Sequence, residues 1–293
     1  MSKDGDGGPT VIDQVVGFIG AGNMAKAIGF ALIKSGILKP EKVIASARTQ
    51  TNLKDWEALN CETTQNNEEV LKKADVIFWA VKPQLFPGVI NTLKKVVKAN
   101  KITCKPAKHI SVMAGTSLVD FTTQVESVTG EKGSTRCFRT MPNIGVEVNC
   151  GVTVFTGPDD TTDEERTLMN NLFKPLGLFY EVPESHINAY IGLFGSGIAY
   201  MFPIIEALSD GAVKLGIPRN VSLEIAPQVL KGAAELLIQK KMHPGAMKDT
   251  VCSPGGTTIC GIAELEHGGV RSAIIKAVEA AARRGEELGK LPK

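Results

Sequence analysis

Several things are scarce in this chain, and each scarcity removes a class of function. Charge of one sign is scarce. The 33 basic and 31 acidic side chains leave a formal net charge of +2, too little to draw a polyanion, so neither nucleic acid nor a membrane is expected as a partner. Uninterrupted apolar runs fall well short of the roughly 18–20 residues that span a bilayer. The polar start, Met1 to Pro9, has no apolar centre and no arginine, so neither a secretory leader nor a transit peptide is expected, and a cytoplasmic location follows. The six cysteines include no Cys-x-x-Cys pair and read as reduced thiols, mostly small core fillers, rather than disulfides or zinc ligands. The four histidines (109, 186, 243 and 267) are scattered without ligand spacing, so no metal is expected. Internal repeats and sustained heptads are missing as well. What remains, at 43% hydrophobic and 22% charged, is the composition of a globular protein with a sizeable core in one or two domains.

The densest signal is Val15-Val16-Gly17-Phe18-Ile19-Gly20-Ala21-Gly22-Asn23-Met24-Ala25. A short apolar run enters Gly-x-Gly-x-x-Ala and a helical pattern leaves it, which is the phosphate-binding turn of a dinucleotide fold. Gly20 permits the tight turn, Gly22 lets a pyrophosphate approach the backbone, and Ala25 lets helix and strand pack closely. Asn23 and Met24 open the helix whose unpaired N–H groups and positive dipole end face the phosphates.

A site for NAD places a carboxylate at the end of the second strand, on the ribose hydroxyls. Here Lys42-Val43-Ile44-Ala45-Ser46 runs into Ala47-Arg48-Thr49 with no acid. Ser46 and Arg48 supply a hydroxyl and a guanidinium, groups that suit a 2′-phosphate. NADPH is therefore the expected cofactor and NADH the alternative. Two further loops follow strand-like runs: Ala80-Val81-Lys82-Pro83, and Met113-Ala114-Gly115-Thr116. Ala80, Val81, Lys82, Pro83, Ala114 and Gly115 then lie at the carboxyl edge of a sheet, where open α/β folds bind ligands, and they join the candidate cofactor contacts.

The first half alternates strand and helix patterns, the rhythm of a parallel sheet. Strands are expected at Val15–Ile19, Lys42–Ser46, Val76–Val81, His109–Met113, Thr135–Thr140, Gly151–Phe155 and Phe179–Val182. The fold class is α/β: an N-terminal Rossmann-type, doubly wound parallel sheet over residues 1–183, with a flexible tail of about ten residues at its start, and an all-α C-terminal dimerisation and substrate-binding domain over 184–293. Ser185 is placed to cap a long helix through Leu215, which Pro203 should kink or break. Further helices are expected at Asn220–Lys240 and Val270–Leu288. Ile187, Ile191, Phe194, Ile198, Met201, Phe202 and Ile205 make the long helix apolar nearly all round, which asks for a second copy of the chain to cover it.

A second glycine-rich element lies in the helical half, Lys248 to Ile259, centred on Ser253-Pro254-Gly255-Gly256-Thr257-Thr258. Ser-Pro-Gly-Gly forces a turn, and a helical run follows. Hydroxyls beside free N–H groups at a helix start form an anion pocket. The plainer alternative is an inter-helix loop with Thr258 as cap. Gly192 to Tyr200, rich in small residues, has two readings too: close helix packing, or a wall of the cofactor pocket.

These motifs together resemble pyrroline-5-carboxylate reductase. The likeness runs from Phe18-Ile19-Gly20-Ala21-Gly22-Asn23-Met24-Ala25 through Ala80-Val81-Lys82-Pro83 and Arg139-Thr140-Met141-Pro142-Asn143 to Asp249–Glu266, the family's C-terminal signature. Ile198 departs from it, since many relatives carry proline there. The resemblance implies NADPH-dependent reduction of 1-pyrroline-5-carboxylate to L-proline, the last step of proline biosynthesis. It also implies an interlocked homodimer through the C-terminal helices, often assembled into decamers. Ser253 and Thr258 become the catalytic candidates, and Ser253, Gly256, Thr257 and Thr258 the substrate-binding ones. Two alternatives stay open: another NADP-linked imino- or hydroxy-acid reductase, whose catalytic lysine would have to be Lys214, Lys231 or Lys240, and a catalytically silent NADPH-binding interaction protein.

Overall fold

The computed structural model describes residues 10–290, with side chains described as far as residue 287. The tail expected at the start falls mainly on residues 1–9, outside the described residues. Strands and helices alternate as the hydrophobic pattern requires: β1 (Val16–Ile19), α1 (Asn23–Lys34), β2 (Val43–Ser46), α2 (Lys54–Ala58), β3 (Glu62–Thr64), α3 (Asn67–Lys73), β4 (Val76–Trp79), α4 (Phe86–Ala99), β5 (Lys108–Ser111), α5 (Leu118–Thr129), β6 (Arg136–Pro142), β7 (Gly151–Thr156), α6 (Asp163–Phe173) and β8 (Gly177–Glu181). The eight strands form one sheet in the order β3-β2-β1-β4-β5-β6-β7-β8. All neighbours are parallel except β6 and β7, which run antiparallel because a short connection, Asn143–Cys150, joins them. β1, β2 and β4 are buried along their whole length, which is why they read as continuous apolar runs rather than alternating ones.

Apolar layers cover both faces of the sheet. Phe18, Trp56, Phe78 and Phe173 fill one, and Ile19, Trp79, Phe86 and Phe121 the other. Close approach of helix to sheet depends on small residues. A Cβ on Gly29 would collide with the Trp56 ring, so that glycine in mid-helix is a packing requirement rather than a break. The acidic first turn of α6 is fixed by a capping box, in which Thr162 accepts from the Glu165 N–H and Glu165 accepts from the Thr162 N–H.

After the sheet come α7 (Ile187–Tyr190), a π-helical turn over Ile191–Gly195, α8 (Gly197–Lys214), α9 (Arg219–Lys240), α10 (Pro244–Val251), α11 (Thr257–His267) and α12 (Val270–Lys290). The molecule divides into two compact units. One runs to Gly195 and includes the chain from Ala282 onward; the other is Ser196–Ala281. In the second unit α8 and α9 pack as a pair, with Ser209 and Ser222 hydrogen-bonded at 2.7 Å in its interior.

The long helix differs from expectation in three ways. Ser185 does not cap it, because Ser185 lies inside a 3-10 turn, Glu184–His186, and helix begins at Ile187. Pro203 does not end it, because Pro203 sits within the continuous α8. The interruption falls instead at Ile191–Gly195, where glycines bracket a wider helical turn. The stretch Glu184–Lys214 is also long and apolar enough, by length and composition, to cross a membrane, with a mean hydropathy of 1.6 in its best window, although no unbroken apolar run in the sequence reaches that length.

Candidate functional site

One row of paired residues marks the carboxyl edge of the sheet. Ser46 pairs with Ile19, Ile19 with Trp79, Trp79 with Ser111, and Ser111 with Arg139. The chain leaves β1, β2, β4 and β5 at that row, so the loops that carry Gly20–Met24, Arg48, Ala80–Pro83 and Ala114–Gly115 share one edge. Strand order reverses between β1 and β4, and a crevice opens where the order of an open α/β sheet reverses.

The geometry of the first turn follows from its glycines. Gly20 has φ +98°, and a Cβ there would stand 2.7 Å from the carbonyl oxygen of Ala80. Only glycine fits on both counts. Its N–H donates to the Ser46 carbonyl at 3.0 Å, which ties the turn to β2. Gly22 is the N-cap of α1, and a Cβ built on it would meet nothing within 4 Å. The space above it is open. Among the described residues no side chain caps the helix and no acid stands in its first turn, and the first N–H groups of α1 point into that space. Bare donors, a positive dipole end and room for an approaching group fit a pyrophosphate.

Arg48 is exposed and makes no hydrogen bond or ion pair among the described residues, so its guanidinium is free for a phosphate. Ser46 is different. It is fully buried, and its hydroxyl lies 2.7 Å from Asn67 Oδ1 and 3.1 Å from the Phe18 carbonyl oxygen. Its side chain stitches β1, β2 and the start of α3 together, and of the two residues expected at a 2′-phosphate Arg48 is the one whose side chain is exposed. Lys82 is exposed just ahead of a 3-10 turn, Pro83–Leu85. Gly115 has φ +73°, which lets the chain turn sharply from β5 toward α5. Ser117 caps α5 by accepting from the Asp120 N–H at 3.0 Å.

The second glycine-rich element lies wholly in the helical unit. α10 ends at Val251, Gly255 adopts φ +67°, and Gly256 is the N-cap of α11 with its N–H on the Ser253 carbonyl at 3.0 Å. A Cβ on Gly256 would collide with the Ser253 hydroxyl, so the serine oxygen is held directly against the helix start. Thr257 and Thr258 are the first two residues of α11, and Thr258 is not its cap. No acid stands in the first turn. Asp249 is ion-paired with Lys248 at 2.8 Å. Ser253, Thr257 and Thr258 make no side-chain hydrogen bond among the described residues, and so keep their hydroxyls for a ligand. Sequence reasoning missed α10, whose start is set by His243 accepting from the Gly245 N–H at 3.1 Å. His243 stands directly before Pro244, and that pair was the available signal.

Residues 15–115 match the family model described as NADP oxidoreductase, coenzyme F420-dependent. With the phosphate cradle already in place, the class is a dinucleotide-dependent oxidoreductase carrying a separate helical domain. Residues 184–288 match the model for pyrroline-5-carboxylate reductase dimerisation. Pyrroline-5-carboxylate reductase 3 of Rattus norvegicus is 40% identical over 275 residues, which cover 94% of this chain and 96% of that protein. The solved pyrroline-5-carboxylate reductase of Coxiella burnetii superposes with a TM-score of 0.80 at 31% identity, covering 96% of this chain and all of that one. A Plasmodium falciparum pyrroline carboxylate reductase with NADP bound gives 0.81 at 25% identity over the same shares. The chain belongs to the pyrroline-5-carboxylate reductase family.

Proposed function

We propose that this protein reduces 1-pyrroline-5-carboxylate to L-proline with NADPH, the last step of proline biosynthesis. The observation that carries the reading to the residues is the start of α11. Around the N-cap Gly256, the hydroxyls of Ser253, Thr257 and Thr258 and the first N–H groups of α11 stand at a helix N-terminus that no acid of its first turn occupies. The substrate is a cyclic imine bearing a carboxylate, and such a pocket suits its anionic end.

NADPH, when bound over Gly20 and Gly22, supplies the hydride that the imine carbon accepts. The chain's own work is positioning. The N–H of Thr257 at the helix start and the hydroxyl of Ser253 hold the carboxylate, helped by the α11 dipole, while Gly256, whose own N–H is kept by the Ser253 carbonyl, lets the anion approach the backbone closely. A protonated ring nitrogen donates to Thr258 Oγ1, which orients the ring without moving a proton. The imine gains its proton readily from water, so no strong acid is needed. In keeping with that, the one carboxylate at the head of the signature, Asp249, is engaged by Lys248.

The family's helical domain makes the protein an oligomer, and we read the unit as a homodimer through the C-terminal helices, with decamers of such dimers and a cytoplasmic location. The exposed apolar side chains of Ser196–Ala281 support this, among them Phe202, Ile238 and Ile275. We read Glu184–Lys214 as dimer surface rather than a membrane span because residues 184–288 match a dimerisation domain and Gly195, Ser196, Gly197 and Pro203 interrupt the apolar pattern. No nucleic-acid partner is proposed. NADPH consumption with the imine, alongside NADH and with proline identified as product, tests the reading. NADPH binding without turnover would favour a silent binding protein, and turnover only with other imino or hydroxy acids would favour a different reductase.

A further inference from the structure

The motif Arg139-Thr140-Met141-Pro142-Asn143 supplies no reacting group, yet its side chains make four polar attachments, one of them from the Val152 N–H to Asn143 Oδ1 at 3.1 Å. Arg139 and Met141 alternate along β6 and therefore face one side of the sheet, and Asn143 follows directly after the strand. Met141 packs in a small apolar cluster with Val182, Ile187 and Phe194. Asn143 donates from Nδ2 to the Phe194 carbonyl, in the π-helical turn, at 3.1 Å. Arg139, only 5% exposed, donates from Nη1 to Glu184 Oε1 at 2.9 Å. That same oxygen accepts the backbone N–H of Leu118 at 2.6 Å. Leu118 is the first residue of α5, directly after the Ala114–Gly115 loop. Thr140, on the opposite face, donates to the Ser111 carbonyl at 2.9 Å, at the point where that loop leaves β5.

Glu184 is thus a cap supplied from 66 residues away. One N–H of α5 is satisfied by Ser117 and another by a carboxylate that Arg139 holds in place. Arg139 Nε is buried with no acceptor among the described residues, so Glu184 is also the only anion that Arg139 meets there. We propose that Glu184, held by Arg139, is a positioning residue that fixes the Ala114–Gly115 loop in the conformation that binds the cofactor. This rests on the reading that NADPH lies along that sheet edge. Glu184 itself touches neither cofactor nor substrate in this account.

The test is NADPH binding by fluorescence titration on the full-length protein, followed by steady-state kinetics. Glu184→Ala leaves a buried guanidinium unpaired and risks misfolding. The informative variants are therefore Glu184→Gln, which keeps an acceptor oxygen but not the charge, and the double Arg139→Met/Glu184→Leu, which removes the buried charge along with the cap. The double variant should bind NADPH about 2- to 30-fold more weakly, the range that corresponds to the loss of a cap hydrogen bond. Glu184→Gln should fall between it and the unmodified protein. Turnover at saturating NADPH should change by less than about threefold in both, since the reacting groups are untouched. Unchanged NADPH affinity in the folded double variant would overturn the proposal. So would a loss of turnover at unchanged affinity. Binding is read without the imine, so failure of the enzymatic reading is seen separately, as an unmodified protein that binds NADPH and reduces nothing.

Discussion

The indole N–H of Trp79 donates to Nδ1 of His109 at 3.1 Å across neighbouring strands. Accepting at Nδ1 requires a neutral imidazole whose proton is on Nε2. His109 is 1% exposed, and burial pushes its pKa down to about 4. Its unfolded value lies near 6.5. Above about pH 6.5 both states are neutral and the group has no effect on stability. As pH falls from there toward 4, the unfolded chain takes up the proton and the folded one does not, so stability drops. The loss should total on the order of 3 kcal/mol by pH 4. Urea melts of the native protein and of His109→Gln between pH 7 and 4.5 measure it. If the two lose stability in parallel, His109 is not the group responsible.

In the proposed reading the preference for NADPH turns on Arg48, since the Ser46 hydroxyl is hydrogen-bonded inside the fold. A charge-assisted hydrogen bond to a 2′-phosphate contributes about 1.5–3 kcal/mol, roughly 10- to 150-fold in affinity. Arg48→Ala should raise KM for NADPH by such a factor and leave NADH almost unaffected. The ratio of kcat/KM for the two cofactors is the measurement, and an unchanged ratio would place the 2′-phosphate elsewhere.

Phe202 is 60% exposed on α8 of the single chain, an uncommon situation for a large aromatic ring. Phe202→Asp should bury an unpaired charge if this face meets a second copy, and should shift the protein to monomers with loss of activity. Light scattering alongside circular dichroism decides, because a helical, active oligomer of unchanged mass would mean that the interface lies on another face.

The sequence made the fold legible wherever burial imposed a period. Seven of the strands stand close to their expected places, and for β1, β2 and β4 the reason is two-sided burial, which demands continuous apolar runs. β3 escaped notice because Glu62-Thr63-Thr64 is a short edge strand with no apolar residue. The internal bonds of Ser46 were not legible because a strand end reads the same whichever face its side chain takes, and only the distances to Phe18 and Asn67 show which face. Arg139 and Glu184 lie 45 positions apart, and no periodic pattern links them. At the second glycine turn the hydroxyls and the helix start were both legible. The close approach of the Ser253 hydroxyl to Gly256 was not, since it depends on where Ser253 Oγ points.

Thr258 is the side chain on which the chemical step should depend most. It is the second residue of α11, next to the N-cap Gly256 and the Ser253 hydroxyl, and its own hydroxyl has no partner among the described residues. In the proposed arrangement the helix start takes the substrate carboxylate, which leaves Thr258 Oγ1 for the ring nitrogen. Thr258→Val keeps the shape and removes the acceptor. An unsatisfied polar partner costs roughly 1–3 kcal/mol, so kcat should fall about 5- to 150-fold while NADPH binding stays intact. A residue that moved a proton in the transition state would show a loss of about 100- to 10,000-fold. Thr258→Ser, which restores the hydroxyl without the methyl, should recover most of the rate. Steady-state kinetics on the two variants, with NADPH binding followed by fluorescence, separates the roles. Unchanged turnover in Thr258→Val would reduce the residue to a helix former, and loss of NADPH binding would move it from the imine to the cofactor.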